Sequence, residues 1–293
     1  MQKIKDLEEY LLQFRGQTVV YCPNPGNAGD GIIANATYQL FDKLNIKYDY
    51  VPPDISVQAT ANRIVIYGGG GNLVHPYPNA RDFIAKHHRQ AAKFVVLPHT
   101  IRSYPELFER MSSNADVFCR DLPSHEFLSA VQTQANVFLS HDVALSTDLN
   151  ATLRYRATHA QELRENLLLS VRAKRQVRRL SHSIRNARHR NILNVFREDV
   201  EKTEVPIPFS NIDLSQTLCG RDMSPLHARE TANVFFEFIN RHDIVNTNRL
   251  HVCIASLLLD KEVHFYDNSY GKNISIFHCS LKDKFPKLTM HAN

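Results

Sequence analysis

The chain has 293 residues, 43% of them hydrophobic and 22% charged, which is a globular composition long enough for two ordinary domains, and no apolar run approaches the length that crosses a bilayer. Lys and Arg number 35 against 30 Asp and Glu, and the resulting formal charge of +5 is too small at this length to imply a nucleic-acid partner. Five cysteines (Cys22, Cys119, Cys219, Cys253, Cys279) stand singly, as reduced thiols do, and Met1 to Phe14 alternates charged and apolar residues without the apolar core of a secretory signal; no disulfides and a cytoplasmic location are expected.

Short runs rich in β-branched and aromatic residues come first: Thr18 to Cys22, Lys47 to Val51, Arg63 to Tyr67, Phe94 to Leu97, Val117 to Cys119 and Val137 to Leu139. Helical patterns over Gly31 to Leu44, Asn79 to Ala92, Pro105 to Asn114 and Ser124 to Val131 lie between them, each long enough to cross between parallel strands. Residues 151–190 interrupt the series with a helix-favouring, densely basic stretch that includes Arg175, Arg178 and Arg179. The alternation resumes with strand Ile192 to Phe196, helix Pro225 to Asn240, strand Ile244 to Asn246, helix Arg249 to Leu259 and strand Val263 to Tyr266. The pattern predicts an α/β chain of two doubly wound Rossmann-like domains, residues 1–150 and 151–293, facing each other across a cleft.

Ligands of open α/β sheets lie beyond the carboxyl ends of the strands, so the loops after strands are where chemistry is sought. The first, Asn24 to Asp30, opens a helix with Asn27 and Gly29 in a tight turn; it suits an anion or a sugar with Asp30 as proton acceptor, or a plain helix entry with Asp30 near the N-cap. Four consecutive glycines, Gly68 to Gly71, followed by Asn72 imply close approach of the backbone to a ligand or to another chain segment, with Gly69 and Gly70 at the centre. Leu97-Pro98-His99-Thr100 places His99 at a strand end as a candidate proton donor, and Arg120 after Val117 to Cys119 either clamps a carboxylate or phosphate or pairs with a nearby acid. In Asn246 to His251 a strand turns into a helix whose first turn carries Arg249 and His251, cations that the helix dipole disfavours unless an anion sits there. Leu250, Ile254, Leu257 and Leu258 give that helix an apolar anchoring face, and Lys272, in the loop after Val263 to Tyr266, either neutralises phosphate or faces solvent.

Taken in order, GNAGD, GGGGN, LPHT, CRD, HDVAL, FRED, NRLH and DNSYGKN resemble the motif series of the polysaccharide pyruvyl transferase family, over roughly residues 20 to 280. The resemblance implies a fold similar to the two-domain B-type glycosyltransferases, phosphoenolpyruvate as co-substrate with no other cofactor, and a hexose of a glycan or lipid-linked oligosaccharide as acceptor. It implies further that His99, Arg120, Arg249, Leu250 and His251 line the donor site. His251 is then assigned as acid or phosphate partner and His99 as the second proton-transfer group, with swapped roles left open. By analogy with this fold, Asp30 and the loop with Asn27 and Gly29 fall on the acceptor side, with Gly69, Gly70 and Asn72 as acceptor or loop residues. Val252 after the NRLH stretch departs from the small residue usual in the family, and Asp142 in HDVAL stands in a variable context. No cluster of metal ligands stands at recognisable spacing, so metal-independent chemistry is expected. The basic stretch at 151–190 reads as a solvated helix face or as a peripheral dock on anionic phospholipid or lipid-linked pyrophosphate at the inner membrane face. Two rival functions share the same scaffold: a nucleotide-sugar glycosyltransferase, and a non-catalytic glycan- or phosphate-binding protein.

Overall fold

Strands buried on both faces have no polar face to show, and the central apolar runs of the first half are of this kind, whereas the edge runs Lys47 to Val51 and Val137 to Leu139 are only partly buried. In the computed structural model, which describes residues 3–155, 161, 164–165, 167–168, 191–199, 205–219, 222–269 and 271–291, they assemble one parallel sheet. The strands are β1 (Thr18–Cys22), β2 (Lys47–Tyr50), β3 (Ile64–Tyr67), β4 (Gly70–Leu73), β5 (Lys93–Ile101), β6 (Ala115–Cys119) and β7 (Asn136–Leu139), in the order β2-β1-β3-β5-β6-β7 with β4 also on β5. Val19 to Cys22, Val65 to Tyr67 and Phe94 to Leu97 are all fully buried.

β5 is longer than the sequence predicts, because it serves two partners in succession. Its first half pairs with β3 up to Tyr67↔Val96, and its second half pairs with β4 from Gly70↔His99. Pro98 can donate no ladder hydrogen bond, and it lies where the register against β6 shifts, between Val96 and His99. The short helix α1 (Leu7–Leu11) buries Leu7, Tyr10 and Leu11, and the following turn buries Phe14, so one apolar stripe docks the amino-terminal segment. Tyr10 donates its hydroxyl to the buried Asp116, which also pairs with Lys93 at 2.7 Å and accepts from Asn136 at 2.8 Å. Further helices of this half are α2 (Ala28–Leu44), α3 (Asn79–His87), α4 (Pro105–Glu109) and α5 (Leu122–Ser129).

The second sheet is also parallel and runs β8 (Ile192–Val195), β9 (Ile244–Thr247), β10 (Glu262–Tyr266), β11 (Leu288–His291), so its described strands step across in chain order. With it go α6 (Leu149–Arg154), α7 (Leu214–Thr217), α8 (Pro225–Asn240), α9 (Leu250–Leu258) and α10 (Lys272–Ile276). α9 has no polar face to speak of: Val252, Cys253, Ile254 and Ala255 are fully buried, so it is a core helix and not one anchored on a single stripe.

Contacts divide the chain into two units. The first is Met1–Pro25, Ile33–Thr147 and Met223–Pro225; the second is Gly26–Ile32, Asp148–Asp222 and Leu226–Asn293. The two parallel α/β sheets are the Rossmann-like arrangement of the B-type glycosyltransferase class. Most of the basic stretch, with its docking reading, lies outside the described residues. Among the described residues no helix is long and apolar enough to cross a membrane.

Candidate active site

The strand order of the first sheet reverses between β1 and β3, the point at which a doubly wound sheet opens a crevice. Here the chain fills that point itself. A Cβ on Gly68 would lie 2.6 Å from the Asn24 backbone nitrogen, one on Gly69 2.8 Å from the Pro98 carbonyl oxygen, and one on Gly70 2.5 Å from Asn24 Nδ2. The glycine run therefore serves close approach to other chain segments. Asn24 is locked there by the Tyr67 hydroxyl, which donates to its Oδ1 at 2.8 Å.

His99 is not at a strand end, as the sequence suggested, but inside β5. It is fully buried, with Nε2 2.8 Å from Asn72 Oδ1, so these two predicted residues do meet. Burial, reinforced by the Arg120 guanidinium, lowers its pKa to about 3. So placed, His99 is neutral at neutral pH, unlike the free imidazole that the expected proton-transfer role requires. Arg120, 1% exposed, donates from Nε to Thr100 Oγ1 at 2.8 Å and from Nη1 to Asp142 Oδ2 at 2.7 Å. Of the alternatives for Arg120, pairing with an acid is what the structure shows, and the acid is Asp142. Asp121 instead caps α5 through Ser124 N–H and pairs with Arg102 at 3.0 Å.

The buried histidines of this unit carry a prediction. His87, 2.8 Å from Thr60 Oγ1, is lowered by burial to about 4, and His99 to about 3, from an ordinary value of about 6.5. The unfolded chain therefore binds more protons than the folded one between about pH 6.5 and these values, and stability falls as pH falls through that window. The urea midpoint should drop from pH 7 to pH 5, while most carboxylates are still ionised; a midpoint that is flat or rising would contradict the buried, neutral state of both rings.

The GNAGD loop is a capping box. Asn27 Oδ1 accepts the Gly29 N–H at 2.8 Å, and Asp30 Oδ2 reaches back to the Asn27 N–H at 3.0 Å, which satisfies donors at the start of α2 reciprocally. Of the two readings open for Asp30, the helix entry is the one its geometry supports. The loop has a second role that spacing did not reveal. A Cβ on Gly29 would lie 2.4 Å from His251 Nδ1, so the imidazole of the NRLH stretch rests directly on this glycine.

α9 starts where Thr247 Oγ1 accepts the Arg249 N–H at 2.9 Å, with Arg249 at the N-cap, Leu250 buried after it and His251 half-buried in the first turn. Arg249 is 4% exposed and lies in a ladder of alternating charge. It donates to Asp213 from Nε at 3.0 Å and from Nη2 at 2.5 Å, and to Asp199 from Nη2 at 3.0 Å. Asp199 also takes Arg197 Nε at 2.9 Å and Nη2 at 3.1 Å. These arginines thus bring their own counter-charges, which corrects the expectation of surplus cations awaiting a doubly charged donor. Lys272 is 7% exposed at the start of α10, so it is not the solvent-facing lysine that was one alternative.

Asparagines frame this ladder at the carboxyl ends of three neighbouring strands. Asn248 Oδ1 accepts the Arg197 N–H at 2.8 Å, and Asn273 Nδ2 donates to the Asn248 and Tyr266 carbonyls at 2.8 and 2.9 Å. Asn211 Oδ1 accepts the Phe196 N–H, and its Nδ2 donates to Glu198 at 2.8 Å. Arg197, Asp199, Asp213, Asn248 and Asn273 were all missed as site residues. The FRED stretch held a signal for the first two, whereas Asp213 stands alone before a helix of only four residues, with no motif around it.

The two parallel α/β units, with arginine, histidine and asparagine gathered where strands of the second sheet end, define a transferase-like scaffold of the B-type glycosyltransferase class. The chain belongs to the polysaccharide pyruvyl transferase family, whose model matches residues 27–270. It is 25% identical over 294 residues to "Putative pyruvyl transferase EpsO" of Bacillus subtilis strain 168, spanning 94% of this chain and 89% of that protein. It is also similar to the crystal structure of a functionally uncharacterized protein from Klebsiella pneumoniae subsp. pneumoniae NTUH-K2044, with a TM-score of 0.74 and 31% identity over 98% of this chain and 96% of the other.

Proposed function

We propose that this chain transfers the pyruvyl group of phosphoenolpyruvate onto two hydroxyls of one sugar in a cell-surface glycan or its lipid-linked precursor, closing a cyclic ketal. The observation that carries the proposal is the family match, which runs from the GNAGD capping box to the loop before Lys272. In this scheme C3 of the enol takes a proton and C2 becomes oxocarbenium-like. One sugar hydroxyl then attacks C2 and gives up its proton. The C2–O bond to phosphate breaks, and a second hydroxyl closes the ring and loses its proton. Arg249 and Leu250 hold the donor and His251 moves the proton or partners the leaving phosphate. His99, neutral at physiological pH, serves as a hydrogen-bonding group and not as an acid. Phosphoenolpyruvate is a cytoplasmic metabolite, so the scheme places the reaction in the cytoplasm.

Purified protein incubated with phosphoenolpyruvate and a panel of galactosides, glucosides and mannosides is expected to add one pyruvyl ketal by mass and to release one phosphate per product. Release of a nucleotide from a nucleotide sugar, or binding of phosphoenolpyruvate without turnover on any acceptor, would sink the proposal in favour of a glycosyltransferase or a binding protein respectively.

A further inference from the structure

Aspartates that open helices in this chain share a habit. Asp6, Asp121, Asp142 and Asp148 each stand at an N-cap and accept a backbone N–H two or three residues further on. Asp213 occupies the same position before α7 and makes no such bond. Its carboxylate turns instead to Arg249, with Oδ1 taking Nε and Oδ2 taking Nη2. A local capping interaction is given up so that a guanidinium 36 residues away is gripped at two points.

The grip has a direction. Nε and Nη2 form one edge of the planar fork, and both are occupied; Asp199 adds a second hold on Nη2. Nη1 has no partner among the described residues, although the side chain is 4% exposed. A planar group fastened along one edge can swing only as far as that edge allows, so its remaining donors keep one aim. We infer that Asp213 is a positioning residue that fixes Arg249 so that Nη1 meets an anionic oxygen of the donor, carboxylate or phosphate. The inference rests on the function proposed above. Asp213 does not compete with the donor, because it occupies the opposite edge. It also keeps the buried guanidinium compensated when no donor is bound.

The test is a set of variants assayed for phosphate release from phosphoenolpyruvate with the best acceptor of the panel. Asp213→Asn preserves size but presents an amide where two acceptors stood. It is expected to raise KM for phosphoenolpyruvate, and to lower kcat/KM on the order of a hundredfold, as misplacement of a binding group does. KM for the acceptor should stay near its original value. In an Arg249→Gln background the same change should add almost nothing, since the group it positions is gone. Asp199→Asn, at a more exposed carboxylate, should raise the donor KM by less. If Asp213→Asn does not fold, a donor KM unchanged in Asp199→Asn overturns the assignment, and a rise confined to the donor supports it. Folded Asp213→Asn with an unchanged donor KM, or penalties that simply add in the double variant, also overturns it. A wild-type chain that releases no phosphate from phosphoenolpyruvate with any acceptor defeats the function itself, an outcome distinct from either of these.

Discussion

Asp142→Ala should destabilise the first unit by about 3–5 kcal/mol, because it leaves the Arg120 guanidinium buried with no counter-charge. Both side chains are almost wholly inaccessible, at 2% and 1%, and the ion pair is 2.7 Å long. The same substitution also removes the cap that Asp142 places on the Ala144 N–H at 2.9 Å. Urea unfolding measures the loss. The informative comparison is the double variant Arg120→Met with Asp142→Leu, which removes both charges together and should recover much of the stability. If the single and double variants lose equal stability, Arg120 is not held by this pair. A catalytic clamp would show a different pattern, with activity falling while the unfolding curve stays in place.

Gly29→Ala should act in the opposite way, on activity far more than on stability. The added methyl would sit 2.4 Å from His251 Nδ1 and 3.0 Å from Asn27 Oδ1, so the imidazole must move while the helix backbone need not. Alanine is otherwise well suited to the second position of a helix. Under the function proposed above, in which His251 moves the proton or partners the phosphate, its displacement by about 1 Å is expected to lower kcat on the order of a hundredfold. A folded Gly29→Ala protein with full turnover would show that His251 does its work without this seat, or does no work.

Strand placement was legible wherever both faces of a strand are buried. Thr18–Cys22 matches the apolar run residue for residue, and Pro225–Asn240 matches its helical pattern at both ends. What escaped were elements whose composition argues against them. β4 is Gly-Gly-Asn-Leu, with almost no strand propensity, and it pairs because β5 offers an open edge beyond Pro98. β11 follows a basic loop and is only partly buried, and its apolar alternation, Leu-Thr-Met-His, spans only four residues, too few to stand out.

The candidate site divides along a similar line. Residues that stand in unusual strings, such as the glycine run and the Arg-Leu-His triplet, drew notice from sequence alone. Their partners did not. Asp213 is 36 positions from Arg249, and a lone aspartate before a helix reads as a cap. The meeting of Gly29 with His251 depends on residues 26–32 packing with the second unit, and no local pattern encodes that exchange. Assumptions about charge failed for a related reason: spacing finds arginines, but the carboxylates that neutralise Arg120 and Arg249 are brought to them only by folding.

The frame around Arg249 is built from carboxamides. Asn211, Asn248 and Asn273 tie neighbouring loops together without a net charge among them. Ionic strength, which weakens contacts between ions, therefore has little hold on the bonds these amides make to backbone groups. The charges of the ladder at Asp199, Asp213 and Arg249 can therefore be altered one at a time while the rim that surrounds them keeps its dimensions.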